Sequence, residues 1–115
     1  MESPIQISFH GMGPSEAIEA RIRQRAQELS QFYDRVTACR VVVESGPHHH
    51  HKGRIHQLRI HLTVPGSEIV VNRDPSEHHG HEDVYVAIRD AFDAARRQLE
   101  DHVRRMRGHI KARES

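Results

Sequence analysis

From Val84 to Ile110, apolar residues recur every three or four positions, a spacing that places them along one side of a long helix. The stripe consists of Val84, Ile88, Ala91, Phe92, Ala95, Leu99, Val103, Met106 and Ile110. A helix that starts near Asp83 and carries this stripe would extend roughly 42 Å at about 1.5 Å per residue. We therefore predict a long helix that covers an apolar surface formed elsewhere in the chain and extends past it, unless Gly108 ends it earlier.

Shorter periodic segments supply that surface. Ser15 is the predicted N-cap of a first helix that ends at Phe32 or Tyr33 and again has apolar residues at helical spacing. Gly46-Pro47 and Gly53 are expected to bracket a histidine-rich turn. Alternation of apolar and polar residues predicts four strands, over residues 5–10, 36–44, 57–64 and 68–72.

The predicted order of elements is β-α-β-β-β-α. A strand-helix-strand crossover makes the first two strands parallel with a right-handed connection, and the last three strands form an antiparallel meander. We therefore predict one α+β domain over residues 1–115, with two layers, in which two helices cover one face of a four-stranded mixed sheet. The opposite face is predicted to stay open and polar, with Gln6, Ser8, Arg40, Gln57, Arg59 and His61.

The charges nearly cancel, with 17 basic and 16 acidic side chains, but they are segregated along the chain. Residues 35–61 carry five basic side chains against one acidic, residues 68–83 reverse this ratio, and five basic side chains after His102 face only Glu114. Fifteen of the 17 cations are arginine, whose planar guanidinium suits two-point contacts with phosphate. Local basic patches of this kind favour a polyanionic partner such as RNA.

Several classes of protein are not expected. No stretch approaches the ~18 apolar residues of a membrane span, and the N-terminus lacks a basic leader followed by an apolar run. Cys39 is the single cysteine, which excludes an intramolecular disulfide and fits a reducing, cytoplasmic location. No nucleophile elbow, phosphate loop or paired-carboxylate motif is present. We therefore expect no enzyme activity, no cofactor, no small-molecule substrate and no membrane partner.

The arginines of the predicted helices are the first functional candidates. On the long helix, two neighbouring rows of cations lie away from the apolar stripe: Arg89, Arg96 and Arg107, and Arg97, Arg104 and Lys111. On the first helix, Arg21 and Arg25 sit one turn apart and Arg23 points elsewhere. Guanidinium groups repeated along neighbouring helices can follow a phosphate backbone and release its counterions. The candidate RNA-binding residues are Arg21, Arg23, Arg25, Arg89, Arg96, Arg97, Arg104 and Arg105.

A plainer explanation of these charges stays open. Three carboxylate–arginine pairs stand four residues apart: Asp93 with Arg97, Glu100 with Arg104, and Asp101 with Arg105. Ion pairs at this spacing can do no more than solvate a helix. Aromatic residues are few and do not alternate with the basic residues along the chain, so we do not expect a platform that stacks successive bases of a single strand.

Histidines offer an alternative function. Seven of them fall in two loops predicted to lie at the same end of the sheet: His48, His49, His50, His51, His78, His79 and His81. Imidazole suits zinc, copper or nickel, so a histidine-rich metal-binding module is the second hypothesis. No HExxH motif, cysteine partner or fixed spacing defines a coordination geometry, which leaves them weak metal candidates. A third hypothesis is a small enzyme on the open sheet face that uses His61 and the loop carboxylates.

The long helix also carries a family signature. The segment HEDVYVAI at residues 81–88, followed by RQL at residues 97–99, resembles the H-E-D-x-Y-x-A-I and R-Q-L signature of the ribosome hibernation factors. This family includes the ribosome-associated translation inhibitor and also bears the name of sigma-factor modulation proteins. The first helix is similar as well, from Ser15 to Leu29, and the likeness covers almost the whole chain.

The resemblance implies a fold like that of a double-stranded-RNA-binding domain. It also implies a partner, the small ribosomal subunit with its ribosomal RNA, and a site near the decoding region, where tRNA and mRNA would sit. Members silence ribosomes under stress or in stationary phase, through forms that either promote ribosome dimers or keep inactive monomers. Arg25 and Arg97 match the family's RNA-binding cations, with Arg104 and Arg105 nearby. Relatives often carry lysine at three positions that differ here: Glu28, Ala94 and Asp101.

Overall fold

The computed structural model describes residues 4–47, 54–72 and 83–114. Its elements follow the predicted order, β-α-β-β-β-α. They are β1 (Ile5–His10), α1 (Glu16–Phe32), β2 (Ala38–Pro47), β3 (Arg54–Val64), β4 (Ser67–Asn72) and α2 (Val84–Glu114). Within the described ranges, no helix combines the length and the apolar character that crossing a membrane requires.

The strands form one mixed sheet in the order β1-β2-β3-β4. As predicted, β1 and β2 run parallel with α1 between them, and β2, β3 and β4 form an antiparallel meander. Pro65 and Gly66 make the turn between β3 and β4, and Gly66 has a φ of 73°. A proline followed by a residue with positive φ matches a type II turn, in which glycine avoids the strain that a side chain would add.

Both helices begin at the residues that the sequence predicted. The Ser15 hydroxyl accepts a hydrogen bond from the Ile18 N–H at 3.3 Å, which satisfies one of the free donors at the start of α1. Asp83 Oδ1 accepts from the Tyr85 N–H at 2.9 Å and does the same for α2. These short-range caps fix where each helix starts.

The bounds of β2 and β3 differ from the prediction. β2 begins two residues later than predicted, because Val36, although buried, lies in the connection between α1 and the strand. At the other end the ladder continues, pairing Gly46 with Ile55 and Pro47 with Arg54. The predictions that the second strand ends at Glu44 and the third begins at Gln57 were therefore each three residues short. Proline is compatible with position 47 because it is the last residue of its strand.

The core lies between the sheet and the two helices, as predicted. The sheet contributes Cys39, Val41, Val43, Leu58, Ile60, Leu62, Val64, Ile69 and Val71. The helices contribute Ile18, Ile22, Ala26, Leu29, Ala87, Ile88, Ala91, Phe92, Ala94, Ala95 and Leu99. The alternate strand positions form the open face, where Gln6, Ser8, Arg40 and Arg59 are exposed and Gln57 and His61 are half-buried.

α2 extends past the sheet that it covers. Its inward side chains are buried as far as His102, whereas Met106 is 40% exposed. Gly108 does not end the helix, which continues to Glu114. The overhang predicted from the length of the apolar stripe is confirmed, and it places Arg104, Arg105 and Arg107 in open solvent.

The buried cysteine provides a test of the core. Burial raises the pKa of the Cys39 thiol from its ordinary value of 9.0 to about 12. A group with a raised native pKa stabilises the fold fully below its unfolded pKa and loses that contribution as the pH rises toward its native pKa. Between pH 7.5 and 9.5, the wild type should therefore lose about 1 kcal/mol more unfolding free energy than a Cys39→Ala variant. Urea unfolding of both proteins measures this, and equal losses would contradict it.

Candidate nucleic-acid interface

α1 and α2 lie side by side and run in the same direction. Near their N-terminal ends, the guanidinium carbon Cζ of Arg21 lies over the Tyr85 ring, 5.2 Å from its centre. Eleven residues further along each helix, Cζ of Arg96 lies over the Phe32 ring at 4.2 Å. The equal spacing sets the register between the helices and shows which of their side chains share a surface.

Between these two contacts, side chains of both helices lie on the same surface, which we call the helix groove. The residues of this helix groove are Arg21, Arg25 and Phe32 of α1 and Tyr85, Arg89 and Arg96 of α2. Arg25 and Arg89 belong to it because each lies one helical turn after a member of the first contact, on the same side of its helix. The structure thus brings together four of the eight arginines predicted to bind RNA.

The groove arginines have different neighbours. Arg25 lies 3.6 Å from the Glu28 carboxylate, and Arg89 donates to Asp90 at 3.2 Å. These contacts are ion pairs at partly exposed positions, worth little to stability, which a phosphate can replace at small cost. Within the described residues, Arg21 contacts no carboxylate and has the Tyr85 ring as its partner. The groove is therefore a cationic surface that is only partly neutralised.

Arg97 and Arg104 stand outside the helix groove. Each lies about a quarter turn round α2 from Arg96, and so belongs to the outer side of the helix. Arg97 lines a shallow cavity between α2 and β4, together with Asn72 and Asp101. Arg104 donates a hydrogen bond to Asp101. Of the two predicted rows of cations, Arg89 and Arg96 therefore lie in the groove and Arg97 and Arg104 on the outer side of α2, whereas the side chain of Lys111 lies outside the described part of the chain.

The ion pairs along α2 differ from the three predicted pairs. Glu100 pairs with Arg96 at 3.8 Å, and Arg104 pairs with the carboxylate three residues before it. A helix places residues three and four apart at similar distances, so spacing alone does not decide the partner. Across the part of the chain that the structure describes, Arg97 and Arg105 contact no carboxylate. Both are exposed and available to a polyanion.

Arg23 faces away from the helix groove. It lies two positions, or about 200°, from both Arg21 and Arg25 around α1. Its guanidinium donates to Glu19 at 3.0 Å. The prediction that Arg23 points elsewhere is confirmed, and the structure separates it from the other candidates on this helix.

The open face of the sheet is less basic than the helix face, which is the side of α1 and α2 turned away from the sheet. Arg59 pairs with Glu44 at 2.5 Å, and His61 Nδ1 lies 2.7 Å from Glu68 Oε1. Arg40 lines a shallow cavity beside this second pair. Of Arg40 and Arg59, only Arg40 lacks a carboxylate partner among the described residues. This face therefore supplies the natural control for substitutions on the helices.

Aromatic side chains and arginines are neighbours in space, across the two helices, although they do not alternate along the sequence. Phe32 is 37% exposed and Tyr85 is 39% exposed, and each meets an arginine of the other helix. The expectation that aromatic and basic residues do not alternate holds along the sequence and fails across the two helices. Sequence reasoning missed these residues because only the register of α1 against α2 brings them together.

The family model of the Sigma 54 modulation protein / S30EA ribosomal protein matches residues 5–107. The chain belongs to this family. The match includes every strand, α1 and α2 except its C-terminal end, so the whole helix groove lies within it. The resemblance inferred from the HEDVYVAI and RQL segments is confirmed.

Comparison with individual proteins agrees with the assignment of this chain to the S30EA family. A protein named Ribosome hibernation promoting factor, from Azotobacter vinelandii, is 26% identical over 98 residues, which are 85% of this chain and 80% of the relative. A ribosomal subunit interface protein from Coxiella burnetii has a similar structure, with a TM-score of 0.66, 16% identity and coverage of 86% and 96%. The structure of the Thermus thermophilus Protein Y N-terminal domain is also similar, with a TM-score of 0.68 and 19% sequence identity. The match covers 86% of this chain and 98% of that domain. The two structures confirm the predicted fold.

The candidate metal ligands lie outside the residues that the structure describes. They are His48, His49, His50, His51, His78, His79 and His81. Elsewhere, in residues 4–47, 54–72 and 83–114, no group of three or more histidine, cysteine, aspartate or glutamate side chains is placed to hold a metal ion. Metal binding by the histidine-rich loops of this S30EA-family chain stays a prediction.

Replacing residues 48–51 with serine should weaken the binding of nickel or zinc without affecting the fold. Adjacent imidazoles bind these metals even when no rigid geometry is present, and the described core is complete without them. RNA affinity should stay within about threefold, since the arginines lie on other elements. Metal titration against an apo control, followed by circular dichroism, checks this. Unfolding of the wild type by a chelator would instead identify a structural metal site.

Proposed function

We propose that this S30EA-family protein is a ribosome hibernation factor that binds the small ribosomal subunit near the decoding region. The observation that carries this proposal is the helix groove, where Arg21, Arg25, Arg89 and Arg96 share one surface of a family member. The name of the Azotobacter vinelandii relative supports hibernation as the role. We place its action in the cytoplasm, under stress or in stationary phase.

Ribosomal RNA is the partner that the charges favour. Guanidinium groups bind phosphate oxygens through paired, charge-assisted hydrogen bonds. With Arg97 and Arg104 on the outer side of α2, the helix face presents six arginines that can each meet a phosphate. Each contact would release a counterion from the RNA, which is the main source of affinity for a protein with almost no net charge.

Occlusion is the proposed mechanism. A folded domain seated on the decoding region fills space that tRNA and mRNA would otherwise occupy, so inhibition follows from competition for one site. No covalent step is involved, and the residues named above act as contacts to phosphate. The degree of inhibition is then set by the concentrations of the factor and its competitors and by their affinities.

Sedimentation tests the partner. The purified protein, mixed with small ribosomal subunits at low salt, should move with the subunits through a sucrose gradient. A stationary-phase lysate should show the endogenous protein at the same position. If the protein remains at the top of the gradient in both experiments, it does not bind the small subunit and the proposal fails.

A competition measurement tests the mechanism. Small subunits preincubated with saturating protein should retain less labelled tRNA and mRNA, and excess tRNA and mRNA should displace the protein in turn. A variant with Arg40 and Arg59 changed to glutamine should compete as well as the wild type, because those residues lie on the open sheet face. Full retention of both ligands alongside bound protein would contradict occlusion.

A further inference from the structure

Two arginines of the helix groove are held by aromatic rings. Cζ of Arg21 lies 5.2 Å from the centre of the Tyr85 ring, and Cζ of Arg96 lies 4.2 Å from that of Phe32. Arg96 also has a long contact to a carboxylate, 3.8 Å from Glu100. The other two groove arginines have carboxylates alone as their partners among the described residues. An arginine needs no aromatic ring beside it to neutralise a phosphate. The ring contacts of Arg21 and Arg96 therefore call for a separate explanation.

A ring behind a guanidinium restricts how that group can move. Cation–π attraction holds the guanidinium over the ring, where the ring can cover one side of the group and leave the other for a ligand. The Arg96 side chain is 49% exposed despite its contact with Phe32, and Arg21 is also exposed. A planar guanidinium presented in this way can stack on a nucleobase.

We infer that Arg21 and Arg96 are stacking platforms for unpaired nucleobases, with Tyr85 and Phe32 as the positioning residues behind them. The inference rests on the proposed function, because it names the part of the RNA that the helix groove receives. Unpaired bases are required, since the faces of bases inside a duplex are covered by their neighbours.

The spacing of the platforms defines the ligand further. They lie eleven residues apart along both helices, which corresponds to about 16 Å. Arg25 and Arg89 lie between them and are free to exchange their carboxylates for phosphates. The groove therefore fits a short RNA segment with an exposed base at each end and backbone phosphates between, as in a loop or an internal bulge.

Lysine substitutions separate stacking from charge. Arg21→Lys combined with Arg96→Lys keeps both positive charges and removes both planar groups. Arg40→Lys combined with Arg59→Lys is the matched control on the open sheet face. Each protein is tested for binding to small subunits over a range of salt concentrations. Each is also tested on two model RNAs, a full duplex and the same duplex interrupted by unpaired purines.

The wild type should prefer the interrupted duplex by about tenfold, or about 1.4 kcal/mol. The double lysine variant should lose that preference and bind small subunits about tenfold more weakly, with an unchanged slope of log affinity against log salt. The control should match the wild type. A variant that keeps the preference, or a wild type without one, overturns the inference. Failure of the wild type to bind small subunits, with the preference intact on model RNA, would instead refute the proposed function.

Removing the rings distinguishes the proposed positioning role from a merely structural one. Phe32→Leu and Tyr85→Leu remove the rings at partly exposed positions, so the thermal unfolding midpoint should fall by only a few degrees. Preference for unpaired bases should still disappear in the combined leucine variant. If the midpoint falls sharply while the RNA preference is retained, the contacts only join the helices and the inference is wrong.

Discussion

Replacing Arg25, Arg97 and Arg104 together with glutamine should weaken binding to small ribosomal subunits about a hundredfold, since each lost phosphate contact costs around 1 kcal/mol. Glutamine keeps helix propensity and approximate length while it removes the charge. The loss has a second source in the structure, because Arg25 pairs with Glu28 and Arg104 with Asp101. Without their partners, these carboxylates would repel the RNA from the same surface.

The thermal stability of this triple variant should change little, because only exposed ion pairs are lost. Substitution of Arg40 and Arg59 by glutamine is the matched control and should matter much less. Filter binding at one low salt concentration compares all three proteins. If the control abolishes binding while the triple variant inhibits translation normally, the function belongs to the open sheet face and not to the helix face.

Raising the salt concentration fourfold, from about 50 to 200 mM, should weaken binding several-hundredfold if about six phosphates are neutralised. In a plot of log affinity against log salt, this corresponds to a slope of order −4 to −5, bracketed by the coefficients for single- and double-stranded nucleic acid. The large effect arises although the formal net charge is only +1, because the arginines of the helix face act locally.

The triple glutamine variant gives this measurement an internal check. Loss of three phosphate contacts should make its slope shallower by about two to three. The variant changed at Arg40 and Arg59 should keep the slope of the wild type. A flat salt dependence in the wild type would show that binding is not driven by phosphate contacts.

Local patterns were sufficient to predict the elements of the fold. The alternation that ends in Val64 and the caps at Ser15 and Asp83 depend only on neighbouring residues, so the sequence displays them directly. The ends of β2 and β3 were harder to predict. Pairing of Pro47 with Arg54 depends on the length of the ladder, and a Gly-Pro dipeptide is more often found in a turn than in a strand.

The site was predicted less completely than the fold. Arg21 and Arg25 could be placed together, and Arg23 apart, because one helix decides their directions. Which residue of α2 faces which residue of α1 is set by packing on the sheet, so the ring contacts of Arg21 and Arg96 could not be foreseen. Ion pairs along α2 were mispredicted for a simpler reason, since a helix offers each arginine two equivalent carboxylate positions.

The backbone amide hydrogens in the overhang of α2 should be weakly protected from exchange with solvent. In residues 103–108 the side chains are half-buried or exposed, so this part of the helix is supported by the turns before it and hardly at all by the sheet. Amide hydrogens there should exchange through local opening, well before those of the segment from Ala87 to His102 that packs on the core. Arg104, one of the arginines proposed to meet a phosphate, lies in this segment, so RNA binding is expected to slow that exchange and amide exchange in the overhang would then report RNA occupancy.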